Sequence, residues 1–306
     1  MMFKNLRFDM KRNKFLVFLC VPAVIWFCIF AYAPLCGLVV AFQKYSPARG
    51  IWGSEFVGLK NFKFFFGSQS FFQVTFNTLF LNALFIIATM VSSILIALAI
   101  SEVSNRWFKK VSQSVILLPH FISWTVVALL MEAFIKTDGG IVNKLLLSLG
   151  LDVIPFYQSP KVWPFLLTLL RVWQGAGYGS IVYLAAITGL DQEMYEAARV
   201  DGASRFQRIR YLTLPLLKTT AILLFIMSVG KIFNGDFGMI YTLVGNNSVL
   251  YPTTDVIDTY VYRQLVEANN MGMSSAVGLY QSIMGFIMVM ITNYITKKAD
   301  PESALF

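Results

Sequence analysis

Charged residues, cysteine and histidine are scarce in this chain, and each scarcity excludes a class of protein. Aspartate, glutamate, lysine and arginine make up 13% of its 306 residues, about half the share found in a soluble domain. The three cysteines all fall in one apolar run, which is typical of small membrane side chains and not of a disulfide framework. The one histidine has no second histidine or helix-paired acid beside it, so the sequence predicts no metal site.

Motifs for catalysis and for nucleotide binding are also missing. The chain has no Gly-x4-Gly-Lys-Ser/Thr sequence, so we expect it not to hydrolyse ATP itself. It has no nucleophile elbow or catalytic pair of acids, and His120 is better explained as a hydrogen-bonded residue between helices than as a base. Its 25 basic residues against 16 acidic ones suit cytoplasmic loops on anionic lipid better than nucleic acid. We therefore predict no catalytic residue.

Long apolar runs are what the chain has in abundance, because 57% of its residues are hydrophobic. Six segments approach or exceed the ~20 residues that a helix needs to cross hydrocarbon. They are about Phe15–Phe42, Phe71–Ser101, Val111–Ile135, Val162–Leu190, Thr219–Val244 and Met273–Ile295. The first is too long for a signal-peptide core and lacks a clear cleavage site, so we expect it to be retained. The sequence predicts an all-α, polytopic membrane protein with six transmembrane helices.

The loops between these segments set the predicted orientation. Fifteen lysines and arginines fall in the N-terminus, the second and fourth loops and the tail, whereas eight fall in the other loops. The positive-inside rule then places both termini in the cytoplasm. The predicted organisation is a cytoplasmic N-terminal segment at 1–14, a transmembrane domain at 15–296 and a cytoplasmic tail at 297–306.

Polar side chains inside the apolar segments are costly in lipid and are therefore candidates for a solute path. The candidates are Arg171, Trp173 and Gln174 in the fourth segment, and Lys231, Asn234 and Asp236 in the fifth. Gly230 and Gly235 indicate that the fifth helix breaks there. The alternative is that these residues, like Asn77 and Asn82 in the second segment, are hydrogen-bonding contacts between helices.

A polar, basic stretch at 191–218 separates the fourth and fifth segments. Asp201-Gly202 is a turn signal, and helical spacing of apolar residues lies on both sides of it. The sequence therefore predicts a helix–turn–helix in the cytoplasm, held by two membrane helices and suited to contact a soluble partner.

The residue order in this stretch resembles the EAA loop of ABC importer permeases. The matching positions are Glu196, Ala197, Ala198, Gly202, Leu214 and Pro215, with Asp201 in the turn. Many members of that family carry a proline near position 219 or 220, where this chain has two threonines. Leu118–Trp124, Tyr183–Ala186 and Asp255–Arg263 are further similar to the polysaccharide and aldouronate group of carbohydrate permeases.

The resemblance implies a type I ABC importer permease fold and the role of a transmembrane permease subunit for oligosaccharides, uronate-bearing ones included. It implies a heterodimer with a second, homologous permease, two ATP-binding subunits and an extracellular solute-binding protein, in a bacterial plasma (inner) membrane. ATP and Mg would be bound by the partner ATPase subunits, and this chain would bind no cofactor. The EAA-like residues would couple ATP use to alternating access. Permeases for sugar phosphates or polyols, a stand-alone channel and a membrane-embedded enzyme are the alternatives.

Overall fold

The computed structural model describes residues 14–299, apart from the side chains of Leu16 and Ala299. Most of the predicted N-terminal segment 1–14 and of the tail 297–306 therefore lies outside the described residues. The chain divides into two units, one made of residues 14–67 with 264–279 and the other of residues 68–263 with 280–299.

The first unit carries the first apolar segment and a small paired-strand motif. Its elements are α1 (Lys14–Phe27, continued by a π-helix at Cys28–Tyr32 and a 3-10 helix at Ala33–Phe42), β1 (Gln43–Lys44), α2 (Gly50–Gly53), β2 (Glu55–Phe56) and α3 (Lys60–Phe66). The strands are antiparallel, with Gln43 opposite Phe56. The Asn61 side chain donates to the carbonyls of Ala41 and Gln43 at 2.9 and 3.0 Å, which fixes the chain where the first helix ends.

The second unit holds most of the helices. They are α4 (Gln69–Ser101), α5 (Arg106–Leu117, extended by a 3-10 turn at Leu118–Phe121), α6 (Trp124–Ile135), α7 (Ile141–Ser148), α8 (Trp163–Thr188), α9 (Gln192–Val200), α10 (Arg205–Arg208, continued by a π-helix at Ile209–Thr213), α11 (Leu214–Val229), α12 (Phe237–Val244), α13 (Tyr251–Thr254) and α14 (Ile257–Val266). Short 3-10 turns occupy Phe156–Gln158 and Pro160–Val162. The last helix, α15 (Met271–Ala299), begins in the first unit and ends in the second.

Helices α4 and α8 pack along each other and form the centre of the second unit. Small residues allow the close approach that helix packing in lipid requires. A Cβ atom on Gly179 would lie 2.5 Å from the Ser93 hydroxyl, and one on Gly177 would lie 2.1 Å from the Ile116 carbonyl. The Ser93 hydroxyl donates to the Ala176 carbonyl at 3.1 Å. One apolar core surrounds the fully buried Trp163 at one end of α8, and another surrounds Tyr183 at the other end.

Within residues 14–299, four helical stretches are long and apolar enough to cross a membrane: Val17–Phe42, Gln69–Ser101, Arg205–Val229 and Met271–Lys298. The pair α5 and α6 would be a fifth, although it bends by 92°. Helix α8 is not among these stretches, because Arg171, Gln174 and several glycines make it less apolar, but its 26 residues would cover about 39 Å at 1.5 Å per residue. With α8 as the sixth, the count is consistent with the prediction.

Two predicted spans differ from continuous helices. The span predicted at Val111–Ile135 is not one straight helix, because it breaks between Phe121 and Trp124. Pro119 lacks a backbone donor there, and Ser123 begins the next helix by accepting a hydrogen bond from the Val126 amide at 3.4 Å. The break predicted around Gly230 and Gly235 is confirmed, since α11 ends at Val229 and α12 begins at Phe237.

Candidate transport path and coupling loop

The break between α11 and α12, residues 230–236, carries three of the predicted path residues. Polar side chains from neighbouring helices satisfy its exposed backbone groups, as irregular backbone at membrane depth requires. The Asn82 amide on α4 donates to the carbonyls of Ile232 and Asn234 at 2.7 and 3.1 Å. Asn82 is thus a structural contact that holds the break in one conformation.

Two more side chains hold the same break. The Gln281 amide donates to the Phe233 carbonyl at 2.7 Å and to the Asp258 carboxylate at 2.9 Å. That carboxylate also accepts the Gly235 amide at 2.6 Å. Burial raises the pKa of Asp258, with a smaller contribution in the same direction from the charge of Asp236, and the hydrogen bonds from Gln281 and Gly235 oppose the rise. A Cβ atom on Gly235 would lie 2.8 Å from Val256, so this position has no room for a side chain.

An ion pair between Arg171 on α8 and Asp236 joins that helix to the break. The Arg171 guanidinium donates to one Asp236 oxygen at 2.7 Å, and the other oxygen accepts the Met239 amide at 3.0 Å. Asp236 is therefore the N-cap of α12, where the helix dipole favours a carboxylate. Both oxygens of Asp236 are engaged, and the positive charge of Arg171 is balanced.

A cavity of about 680 Å³ opens beside this pair, within the size range of small-ligand sites. Helices α4, α8 and α11 and the break form its walls, with apolar side chains next to a few hydroxyls and amides. Arg171, Lys231, Asn234 and Asp236 all line it. The Lys231 ammonium makes no ion pair or hydrogen bond with any other residue in 14–299.

Trp173 and Gln174, also predicted as path residues, are not among the residues that line this cavity. The Gln174 amide is buried and donates to the Ile122 carbonyl at 2.9 Å, where the chain bends between α5 and α6. It satisfies a backbone group at that bend, much as Asn82 does at the other break. Trp173 is 43% exposed.

Sequence reasoning missed several cavity residues, above all Tyr178 and Ser228. Tyr178 lies seven residues after Arg171, which is two helical turns along the same face, and Ser228 lies three residues before Lys231. Helical spacing from the two cations would have found both. The Tyr178 ring stacks on His120 with centroids 4.4 Å apart and planes 10° from parallel. His120, expected to be a hydrogen-bonding residue, thus braces an aromatic side chain of the cavity.

The predicted helix–turn–helix at 191–218 is confirmed. Its first helix, α9, is capped by Asp191, whose carboxylate accepts the Glu193 amide at 2.9 Å. The helix ends in a Schellman motif: the Ala203 amide donates to the Ala198 carbonyl at 2.9 Å, and the Gly202 amide donates to the Arg199 carbonyl at 3.1 Å. Gly202 has a φ of +79°, which favours glycine.

The second helix starts at once with a reciprocal cap. The Gln207 side chain accepts the Ser204 amide at 2.7 Å, and the Ser204 hydroxyl accepts the Gln207 amide at 3.3 Å. This Ser-x-x-Gln capping box is visible in the sequence and was missed there. A hydrogen bond of 2.9 Å between the hydroxyls of Tyr195 and Thr213 ties the two helices together. Both ends of the turn are therefore fixed.

The EAA-like residues mostly lie on the surface of this loop. Ala198 is half-buried, and the others are exposed: Glu196, Ala197, Asp201, Gly202, Leu214 and Pro215. Pro215 follows the π-helix at Ile209–Thr213, within a stretch that is helical from Arg205 to Val229. The loop is thus a preformed, exposed surface at the start of a membrane helix.

A model of the family described as "Binding-protein-dependent transport system inner membrane component" matches residues 92–300. The chain belongs to this family. Among curated relatives of this permease, Protein LplB of Bacillus subtilis (strain 168) is 38% identical over 96% of this chain and 92% of that protein. The polygalacturonan/rhamnogalacturonan transport system permease protein YteP of the same organism is 37% identical over 98% of this chain and 92% of that protein.

Solved structures agree with this assignment. One is the crystal structure of a bacterial ABC transporter involved in the import of the acidic polysaccharide alginate, with a TM-score of 0.88 and 34% identity over 97% of this chain and 99% of that chain. Another is a bacterial alginate ABC transporter in complex with alginate pentasaccharide-bound periplasmic protein, with a TM-score of 0.86 and 34% identity over 95% of this chain and 96% of that chain. They confirm the type I ABC importer permease fold, and the permease is an inner-membrane component that works with a substrate-binding protein.

Proposed function

We propose that this permease forms one half of the membrane path of an oligosaccharide importer, and that its substrates carry uronate groups. The support is the match to permeases whose names and titles specify acidic or galacturonan polysaccharides. The cavity suits a sugar, because it combines the aromatic ring of Tyr178 with hydroxyl and amide groups. Aromatic faces stack on sugar rings, while polar groups bond their hydroxyls.

The assembly would follow the partners implied by the sequence. A second, homologous permease would close the cavity on the side that this chain leaves open, and an extracellular binding protein would deliver the sugar. The two permeases would rock against each other and open the cavity to one side of the membrane at a time. Arg171, Lys231, Asn234 and Asp236 would lie along the path, with both termini in the cytoplasm.

The energy would enter through the loop at 191–218. Two ATP-binding subunits would bind ATP and Mg, and this chain would contribute no catalytic residue. Glu196, Ala197, Ala198, Asp201 and Gly202 would contact one ATPase subunit, with Leu214 and Pro215 at the start of the membrane helix. The support is geometric: a capped, exposed turn is fixed to a helix that leads to the cavity.

The test is uptake in proteoliposomes that contain both permeases, the ATPase and the binding protein. We expect a labelled oligouronate to accumulate only when ATP and the binding protein are both present. Accumulation without ATP would indicate a channel, and accumulation of sugar phosphates in place of the oligouronate would contradict the substrate class. The carboxyl-reduced, neutral form of the same oligosaccharide is the matched control substrate.

A further inference from the structure

The two cations that line the cavity have different surroundings. Arg171 is ion-paired with Asp236, whose second oxygen accepts a backbone amide. Lys231 also lines the cavity, but its ammonium has no ion pair or hydrogen bond within residues 14–299. The charges of Arg171 and Asp236 balance each other. The positive charge that the cavity offers to a solute is therefore that of Lys231.

The carboxylates around the break are already engaged. Asp236 holds Arg171 and the Met239 amide. Asp258 holds the Gly235 amide and the Gln281 side chain. The backbone of Lys231 is fixed as well, because its amide donates to the Ser228 carbonyl at 3.0 Å in the turn that ends α11. The fold thus places an ammonium in the cavity and commits the nearby carboxylates to other groups.

We propose that Lys231 binds the carboxylate of the transported sugar and thereby selects acidic over neutral oligosaccharides, whereas Arg171 serves as a structural ion pair. This inference rests on the proposed function. Lys231 is exposed in this chain, but closure of the cavity by the second permease would remove part of its hydration, and an anionic partner would offset that loss. A charge-assisted hydrogen bond between ammonium and carboxylate is also stronger than a neutral one. A sugar without a carboxylate gains neither contribution.

The test compares two sugars in the reconstituted complex: an oligouronate and its carboxyl-reduced, neutral form. Each is preloaded on saturating binding protein, and the ratio of their initial uptake rates is measured. The discrimination made by the binding protein is the same for every permease variant, so a change in the ratio reports on the permease. We expect Lys231→Met to lower the acidic-to-neutral ratio at least tenfold, and Lys231→Gln to do the same.

Three further variants test whether a change in the ratio is due to the charge at position 231. Lys231→Arg keeps the charge and should leave the ratio within about threefold of the original. Lys161→Met is the matched control, because Lys161 is exposed in the 3-10 turn at Pro160–Val162 and does not line the cavity; its ratio should not change. In the Lys231→Met background, Asp236→Asn releases Arg171 from its ion pair and should restore part of the preference for the oligouronate.

The outcomes separate this inference from the proposed function. If the original complex imports the oligouronate and Lys231→Met keeps the ratio, the role of Lys231 is wrong while the proposed function stands. Equal loss of both sugars in Lys231→Met would also contradict it, because a carboxylate contact predicts a selective loss. If the original complex imports neither sugar although its ATPase responds to the binding protein, the proposed function itself fails.

Discussion

Single polar side chains in the membrane-spanning part serve two purposes that residue type does not distinguish. The amides of Asn82 and Gln174 bond carbonyls at the two helix breaks, whereas the exposed side chains of Lys231 and Asn234 line the cavity, which Asn82 also borders. Each is a polar residue in an apolar segment, but Asn82 and Gln174 are buried and bonded to the backbone, whereas Lys231 and Asn234 are exposed to the cavity. Sequence reasoning identified the set, but only the geometry assigns the roles.

At Gly235, the absence of a side chain is what allows the break to pack. Its missing side chain allows Val256 and the Asp258 carboxylate to approach, and a Cβ atom would lie 2.8 and 2.9 Å from them. We expect Gly235→Ala to shift the break, to destabilise the protein by about 1–3 kcal/mol and to reduce uptake. Thermal unfolding of the purified permease complex measures the first effect.

The matched control for that change is Gly175→Ala in α8. A Cβ atom there would meet Thr89 at 3.5 Å, which is an ordinary contact. Its unfolding temperature should stay close to that of the original protein. An equal loss of stability in both variants would show that tight packing at Gly235 is not the cause.

Helix breaks and turns are the elements that place the functional residues. The break near Gly230 and Gly235 could be predicted, because two glycines interrupt an apolar run. The break at Phe121–Trp124 could not be predicted from hydropathy, because apolar residues continue through it. Pro119 and the N-cap residue Ser123 do indicate a break there, but the apolar spacing on both sides of them favours a continuous helix. The helix–turn–helix was predictable, since Asp201-Gly202 and the apolar spacing agree on one structure.

The turn at Gly202 should be required for coupling. Its φ of +79° is strained for a β-branched residue, although the space around it is open. We expect Gly202→Val to leave ATP hydrolysis measurable and to reduce sugar uptake per ATP by at least fivefold. Asn tolerates this backbone conformation, so Gly202→Asn should retain more of the coupling. Parallel assays of phosphate release and uptake provide the measurement.

Gly150 supplies the control for backbone strain. It has a similar φ of +74° and open space, but it follows α7, far along the chain from the loop at 191–218. Gly150→Val imposes a comparable strain and should leave the ratio of uptake to hydrolysis unchanged. If both valine variants lower that ratio equally, the loss reports general destabilisation and not the loop.

For the molecule as a whole, the apolar surface agrees with the predicted membrane setting. The first apolar segment is largely exposed along its length, as expected for side chains that face lipid or a partner helix. The helical class and the permease fold could be predicted, because hydropathy and the EAA-like spacing are long-range patterns. The cavity could not, because it depends on which faces of α4, α8 and α11 meet.

The orientation is testable with single cysteines. After the native Cys20, Cys28 and Cys36 are replaced, Val200→Cys in the loop at 191–218 and Trp52→Cys in the loop at 43–70 introduce labels at positions that are 88% and 91% exposed. With the permease expressed without its ATPase, an impermeant maleimide should label position 52 in intact cells. It should label position 200 only after permeabilisation. The reverse pattern would place the loop at 191–218 outside and contradict the charge-based orientation.

The helix that begins at Arg205 and ends at Val229 has a mechanical consequence. Its 25 residues would extend about 37 Å at 1.5 Å per residue, from the Ser204 cap to the turn that bears Lys231. Because the stretch is continuously helical, a tilt imposed at its capped end would displace the other end. In the proposed mechanism, the displacement at the cavity would depend on the length of this helix and on the point about which it pivots.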